Sequence, residues 1–539
     1  MKVTLLAINA KYMHSSLSVW TIAAGLSEFC QTEHVVNVVE ATINQKHEEI
    51  VDSIFKSEPD VLGISTYIWN AGMLPSVLEQ IRERCSKMLI VLGGPEASNN
   101  PEYWLNLGAD HILLGEGEYS FPVFLDEISC GKPVDKIYQY TQLHDQSESN
   151  SENKKHIDPF TKKYFQALGS KISYIEASRG CPFKCAFCLS AGESVRFFPI
   201  EKIKKQTQKL SQSDTHIVKF VDRTFNCNPE RAFELFDYII NMDTECRFHF
   251  EVAADLFDED TLLLLASAPK GRIQLEIGLQ SFYQPALDAS SRKMDISKAE
   301  KNVRELLKAQ NIHVHVDLIA GLPYETLSDF KESFRRAYSL NAHTLQLGFL
   351  KLLHGSVLRA QAETLGIRYN QQPPYEVIGT TWLSGNDLEI LRQTENALQR
   401  TYNKGRFLST IEYVIAASKL DAFAFFNQLG TAFPNHGTQL EQYVKQIYEF
   451  CTELEGVDRE ILTDCMICDW LSMVKGKNAP TFLKNQDSRR DDIRAQAEAQ
   501  LNRKIGRHEY AVLSTGKGVF VDSESYDIVA ERHMLYYLP

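Results

Sequence analysis

The stretch Glu176-Ala-Ser-Arg-Gly-Cys-Pro-Phe-Lys-Cys-Ala-Phe-Cys188 closes an apolar run over residues 172–177 and sets three thiols, Cys181, Cys185 and Cys188, in one tight loop. Fe–S clusters are normally held by four thiolates, so three from a single loop leave one iron open to a ligand from outside the chain. A structural zinc site would instead complete its tetrahedron with a nearby fourth protein ligand. No Cys or His follows Cys188 at finger-like spacing. The remaining alternative is three thiols packed by chance in a loop, and Arg179, Gly180 and Pro182 crowding the same turn argue against it.

The CxxxCxxC spacing, with the aromatic Phe187 before the last cysteine, resembles the radical S-adenosylmethionine (SAM) superfamily. That resemblance implies a 4Fe-4S cluster on Cys181, Cys185 and Cys188. It also implies SAM on the open iron and reductive cleavage of SAM to a 5'-deoxyadenosyl radical, with Phe187 packed by the adenine.

Downstream of the loop, apolar runs at 172–177, 216–221, 246–252, 273–279, 312–319 and 344–349 alternate with amphipathic helical patterns. Six such strands predict a partial (βα)6 barrel, whose active residues gather at the strand C-terminal ends. The cysteine loop follows the first strand, which is the place the resemblance requires. Other strand ends extend it. Asp222, after the second strand, stands where related cobalamin-type enzymes place an acidic residue toward the methionyl amine. Glu276, Gln280 and Ser281 match the fourth-strand run that reaches the SAM ribose and carboxylate, and Gly321 and Pro323 match the turn near the adenine. On this resemblance Asp222 and Glu276 are catalytic as well as cofactor-binding. Taken singly, each has an ordinary reading as a paired carboxylate, strand cap or turn residue. His313 and His315 alternate with valines, so they share one strand face and read as barrel-wall histidines.

Upstream, residues 3–8, 35–39, 61–66, 89–93 and 112–114 are apolar runs separated by amphipathic stretches. Runs too apolar for a one-sided sheet predict a doubly wound parallel sheet covered on both faces. Its ligands bind outside the strand C-terminal ends. Ser65, Gly93-Gly94 and the Gly115-Glu-Gly117 run lie there. By themselves these residues fit a generic flavodoxin-like or regulatory module. Ahead of the cysteine loop, the segment resembles the cobalamin-binding domain of many radical SAM enzymes, with Ser65, Gly93, Gly94 and Gly117 as cofactor contacts. The Asp-x-His-x-x-Gly loop that supplies a cobalt-ligating histidine in that family is absent, because His14 has Tyr12 two residues before it and Leu17 three after. No protein histidine is therefore expected on cobalt.

The expected architecture is an α/β multidomain chain: a cobalamin-binding domain at 1–130, a linker at 131–165, a radical SAM partial barrel at 166–355, and a mainly α-helical C-terminal domain at 356–539 ending in a small β-sheet. The linker contains the polar run 146–155, which cannot bury a core. The last domain resembles a C-terminal domain of unknown function in one bacterial radical SAM family. Cys465 and Cys468 form a CxxC inside a helical pattern, which favours packed thiols over a second cluster.

The chain has 539 residues, a formal net charge of −13 and 11 cysteines. That acidity argues against nucleic acid as a broad electrostatic partner. The absence of a long apolar stretch argues against a membrane span, so we expect a cytoplasmic protein. The reading is a cobalamin-dependent radical SAM enzyme using a 4Fe-4S cluster, SAM and cobalamin, with methyl transfer to an unactivated carbon of a small molecule as the class expectation. A flavodoxin- or ferredoxin-type protein would supply the electron. The alternatives are a rearrangement or cyclisation enzyme, a tRNA methylthiotransferase-like enzyme, and a non-enzymatic cobalamin sensor.

Overall fold

The structure is a computed structural model that describes residues 1–140, 156–434, 437–483 and 488–539, so the polar run 146–155 lies outside the described residues. The chain divides into two compact units. The first comprises Met1–Asp258, Ser290–Lys293 and Leu350–Thr380; the second comprises Glu259–Ala289, Met294–Phe349 and Thr381–Pro539.

In the first unit, β1 (Lys2–Asn9), β2 (Val35–Thr42), β3 (Val61–Ser65), β4 (Leu89–Gly93), β5 (His111–Leu114) and β6 (Ile137–Gln139) form a parallel sheet in the order β2-β1-β3-β4-β5-β6. The intervening helices are α1 (Leu17–Phe29), α2 (His47–Phe55), α3 (Leu74–Arg84), α4 (Pro95–Asn99), α5 (Pro101–Asn106) and α6 (Gly117–Ser129). Leu6, Ile8, Leu62, Ile64, Ile90 and Leu92 pack on one face against Ile50, Ile54, Val77 and Ile81 of α2 and α3. On α1, Gly25 lets the backbone of α6 approach, since a Cβ there would lie 2.2 Å from the Glu118 carbonyl oxygen. Burial on both faces explains why β1 and β3 are apolar almost throughout. The sixth strand falls inside the stretch expected to be a linker. It is three residues long, too short for its pattern to stand out from its polar surroundings.

Beyond α7 (Lys162–Leu168), β7 (Ser173–Ile175) leads into a hairpin of β8 (Ser178–Arg179) paired antiparallel with β9 (Arg196–Phe197). After α8 (Ile200–Ser211), β10 (Ile217–Phe220) pairs parallel with β7, and after α9 (Pro229–Ile240), β11 (Arg247–Val252) pairs parallel with β10. Asn228 caps α9 by accepting from the Arg231 amide at 3.1 Å, and Pro229 opens the helix, so the chain turns sharply just after the β10 end.

The second unit opens with α10 (Glu259–Ala266), β12 (Ile273–Gln280), α11 (Gln284–Ala289), α12 (Ile296–Lys308), β13 (His313–Ala320), α13 (Leu327–Tyr338) and β14 (Thr344–Phe349). Strands β12, β13 and β14 are parallel neighbours in that order. The two units thus carry the six expected βα strands, three in each. Helices at Gly385–Arg400, Leu408–Ala417, Ala422–Ala432, Leu440–Thr452, Arg459–Met473 and Arg490–Leu501 follow, then an antiparallel sheet of Tyr510–Val512, Gly518–Asp527 and Arg532–Leu538. The turn of its last hairpin docks at the N-terminal ends of β12 and β13. There Asp527 pairs with Lys270 at 2.9 Å, and His313 Nδ1 lies 2.9 Å from the Val529 carbonyl oxygen. His313 is therefore the satisfied wall histidine its alternation suggests. Cys465 and Cys468 sit on the Arg459–Met473 helix with their thiols pushed up to about 12 and about 11 by burial, so they are packed, protonated groups.

Candidate active site

The three cysteines lie on the loop of the β8–β9 hairpin. Gly180 starts it at φ +97°, where a Cβ would sit 2.4 Å from the Ser194 carbonyl oxygen, so only glycine allows the two arms to close. The Cys181 amide then donates to Glu193 O at 3.2 Å, Gly192 N to Phe183 O at 2.7 Å, and Cys188 N to Cys185 O at 2.9 Å. Cys181 and Cys185 are buried, while Cys188 and Phe187 are half-buried. Among the described residues, the only triads with ligand atoms within 4.8 Å of one another are Cys30, His34, Asp126 and Glu276, His315, Asp317.

Asp222, at the end of β10, is 2% exposed. Its Oδ2 accepts from the Ala177 amide at 2.9 Å and its Oδ1 from the Ser178 hydroxyl at 2.5 Å. Burial pushes its pKa up to about 6, against those two hydrogen bonds. Asp222 therefore pins the first arm of the cysteine hairpin, and a methionyl amine would have to use its remaining lone pairs. Arg179, two residues before Cys181, reaches Glu118 at 2.8 Å, Glu176 at 2.6 Å and Glu116 at 3.2 Å; Arg196 on the other arm reaches Glu116 at 2.6 Å. Burial works against the Arg179 charge, but Glu118, Glu176 and Glu116 outweigh it and hold its pKa well above the ordinary value. Sequence reading quotes Arg179 without giving it this work. It also misses Arg292, whose Nη1 donates to Cys185 Sγ at 3.4 Å, and Ser290, whose carbonyl accepts from Ala186 N at 2.8 Å. Nothing in the local pattern signals a partner 107 residues away.

On β12, Glu276 and Gln280 share the half-buried face, with Ile273, Leu275, Ile277 and Leu279 on the buried one. Glu276 Oε2 lies 3.9 Å from His315 Nδ1, and His315 Nε2 lies 2.9 Å from Asp317 Oδ1. Gln280 adopts φ +69° beside a register shift, and its buried Oε1 has no hydrogen-bond partner. A strained strand end offering an unsatisfied acceptor fits a ligand such as SAM.

Ser281 and Pro323, both expected beside the cofactor, are buried in the turns that follow their strands. Ser281 is fully buried, donating to Glu325 at 2.5 Å and accepting from the Tyr283 amide at 2.9 Å, so it builds the turn. Pro323 is buried behind Gly321, which takes φ +98°, and a capping box between Thr326 and Asp329 fixes the following helix.

Burial pushes Glu325 up to about 8, against hydrogen bonds from Ser281 and Ser333. The folded chain therefore holds this proton at neutral pH while the unfolded chain releases it. That linkage makes stability fall as pH rises from about 4.5 to about 8. Glu325→Gln should flatten this dependence and be more stable than wild type at pH 8, by on the order of a few kcal/mol. Urea unfolding midpoints at pH 5 and pH 8 check it, and equal pH dependence in both proteins would contradict it.

At the strand ends of the first sheet, Ser65 and Gly93 are register partners. The buried Ser65 Oγ has no hydrogen-bond partner. A Cβ on Gly93 would meet nothing closer than 3.7 Å, whereas one on Gly94, at φ +95°, would lie 2.6 Å from Thr66 O. Gly93 thus borders open space and Gly94 makes the turn. Gly117 packs α6 on α1, its Cβ position 3.0 Å from Ile22, while Gly115 at φ +79° faces nothing within 4 Å. Gly115 is therefore better placed than Gly117 for close ligand approach. An orphaned hydroxyl beside an open glycine fits a large ligand such as cobalamin. The His14 ring hydrogen-bonds the Tyr174 hydroxyl, and burial lowers its pKa, with Lys219 and Lys11 adding to the effect.

Three regions of the chain match known domains. Residues 3–125 match the B12 binding domain, 175–337 the Radical SAM superfamily, and 363–517 a protein of unknown function, DUF4080. The cobalamin-dependent radical SAM methyltransferase TokK of Streptomyces tokunonensis is 24% identical over 66% of this chain and 56% of its own length. The 2-(S-pantetheinyl)-carbapenam-3-carboxylate methyltransferase of Streptantibioticus cattleyicolor is 23% identical over 51% of this chain and 44% of its own. The chain thus spans about half the length of these two relatives. Among solved structures, the radical SAM methyltransferase TsrM of Kitasatospora setae matches with a TM-score of 0.56 and 16% identity, over 69% of this chain and 78% of that one. The cobalamin-dependent SAM radical enzyme OxsB matches with a TM-score of 0.56 and 13% identity, over 94% and 82%. At these identities the structures show a shared fold, and the domain matches show the rest: the chain joins a B12-binding domain, a radical SAM domain and DUF4080, in that order.

Proposed function

We propose that the chain transfers a methyl group to an unactivated carbon of a small molecule, using SAM, a 4Fe-4S cluster and cobalamin. The observation that carries this reading is Arg179, which ties the arm entering the cysteine loop to Glu116 and Glu118 at a strand end of the B12-binding domain. The two cofactor loops are thereby built side by side in one unit. When bound, the cluster supplies the electron that splits SAM, and cobalamin supplies a carrier for the methyl group.

The chain's own residues do the holding. Cys181, Cys185 and Cys188 ligate, and the Arg292 guanidinium eases negative charge on the Cys185 sulfur. In the first unit Phe187 packs on the adenine and Asp222 takes a polar group of SAM; Glu276, Gln280 and Gly321, the SAM contacts that the resemblance implies in the second unit, are proposed on that resemblance. Ser65 and Gly93 border the corrin, Gly94 makes the turn beside them, and in the Gly115–Gly117 run it is Gly115, more than the expected Gly117, that leaves open space. The domain limits that go with this reading are 1–130, 166–355 and 356–539, with 131–165 as connector. No helix among the described residues is long and apolar enough to cross a membrane. We place the protein in the cytoplasm, where a flavodoxin or ferredoxin supplies electrons. Cys30, Cys85 and Cys130 cap the C-terminal ends of α1, α3 and α6, the edge opposite the strand C-termini, which argues against the extra cluster of a methylthiotransferase.

Anaerobic incubation of the reconstituted chain with SAM, a strong reductant and hydroxocobalamin should yield both S-adenosylhomocysteine and 5'-deoxyadenosine. Omitting cobalamin should remove only the first. 5'-Deoxyadenosine without S-adenosylhomocysteine, in protein that has bound cobalamin, would favour rearrangement over methyl transfer.

A further inference from the structure

The segment Leu350–Thr380 belongs to the first unit, and DUF4080 begins inside it at residue 363. Its ends are stitched together: Leu352 N donates to Tyr375 O at 3.0 Å and Val377 N to Leu350 O at 2.9 Å. The resulting strap touches both cofactor loops. On one side, Leu358 N donates to the carbonyl of Ala186 at 2.8 Å, and Ala186 lies between Cys185 and Cys188. On the other, the buried Tyr375 hydroxyl donates to the buried Glu96, two residues after Gly94.

The strap interior is filled so that neither contact can move alone. The Arg359 guanidinium, adjacent to Leu358, lies 5.0 Å from the Tyr369 ring and 4.8 Å from the Tyr375 ring, and donates to Leu352 O at 2.5 Å. The His354 ring packs edge-on against Tyr375 at 4.9 Å. Gly355, at φ +86°, approaches Asn99 so closely that a Cβ would lie 2.0 Å from its Oδ1. Glu96 is equally fixed to the strand ends, since the next amide, Ala97 N, donates to Thr66 Oγ1 at 2.8 Å, and Thr66 Oγ1 donates to Gly93 O at 2.7 Å.

We propose that this strap, including the opening residues of the domain of unknown function, is a clamp that makes the cysteine loop and the Gly-Gly-Pro-Glu turn one mechanical unit, so that filling either cofactor site tightens the other. The proposal rests on the reading that these loops hold a cluster and cobalamin. Each loop loses conformational freedom when its ligand binds. A rigid connection lets the first ligand bear part of the ordering that the second requires, and by linkage the effect is reciprocal. Glu96 and Tyr375 act here as positioning residues.

The test is the dissociation constant of hydroxocobalamin, read from its visible spectrum, on the full chain with and without the reconstituted cluster. Wild type should bind about fivefold or more tightly with the cluster present. Tyr375→Phe keeps the ring packing and removes only the hydroxyl, and its two constants should agree. Glu96→Gln retains an acceptor for that hydroxyl and should preserve the wild-type ratio. A ratio of one in wild type, or an unchanged ratio in Tyr375→Phe, overturns the clamp while leaving the cofactor assignments standing. No cobalamin binding in either state overturns the functional reading and the clamp together.

Discussion

Replacing Cys181, Cys185 and Cys188 together with alanine will abolish cluster incorporation and SAM cleavage, while the same change at Cys227 will leave both intact. The three loop thiols are set by the Gly180 turn and the Cys181, Cys188 and Gly192 amide bonds, none of which uses a sulfur, so the hairpin should persist in the variant. Cys227 is the instructive control. It stands outside the cysteine loop, at the end of the short turn Phe225–Cys227 after β10, yet close enough to Cys181 for the two thiols to interact electrostatically. Iron and sulfide analysis after anaerobic reconstitution reads the outcome. Wild type and Cys227→Ala should each hold about four of each per chain, and the triple variant essentially none. Iron retained by the triple variant, or lost on changing Cys227, would contradict the three-thiolate assignment.

The second large effect is expected at Gly93. Its missing side chain borders open space, the nearest atom to a built Cβ being Leu113 O at 3.7 Å, so Gly93→Leu should fold yet fill the room that the corrin needs. Hydroxocobalamin binding should fall at least ~100-fold, about 3 kcal/mol, because overpacking at a ligand-contact backbone cannot relax into the parallel sheet. Gly94 is the poorer test. Its φ of +95° and the 2.6 Å approach to Thr66 O mean that any side chain there distorts the turn itself. His14→Ala should leave the cobalt spectrum unchanged, because that ring is already committed to Tyr174. Wild-type affinity in Gly93→Leu would displace cobalamin from this strand end.

The sequence discloses those parts of the site whose chemistry is written in contiguous residues. The thiol spacing, the strand ends at Ser65 and Gly93, and the alternation that puts Glu276 and Gln280 on one face can all be read locally. So can the periodic elements, since β12, β13 and β14 fall within a residue of their expected limits. What stays hidden is set by tertiary contact. Ser281 looks like any exposed strand-end hydroxyl until Glu325 and Ser333 are folded over it. Arg179 reads as a turn residue until three glutamates from two stretches of chain converge on it. The partnership of Tyr375 with Glu96 spans 279 positions, and no periodicity connects them. Strand β6 fails for another reason: three residues cannot establish a period, and only pairing with β5 identifies them.

The most direct test of the central claim is EPR spectroscopy of the reduced, reconstituted wild-type chain loaded with cobalamin, recorded before and after SAM is added. A cluster with one iron left open must change its signal when SAM occupies that iron, and the signal should arise only at the low end of the roughly −700 to +450 mV range of such centres. A reduced cluster signal indifferent to SAM would contradict the account.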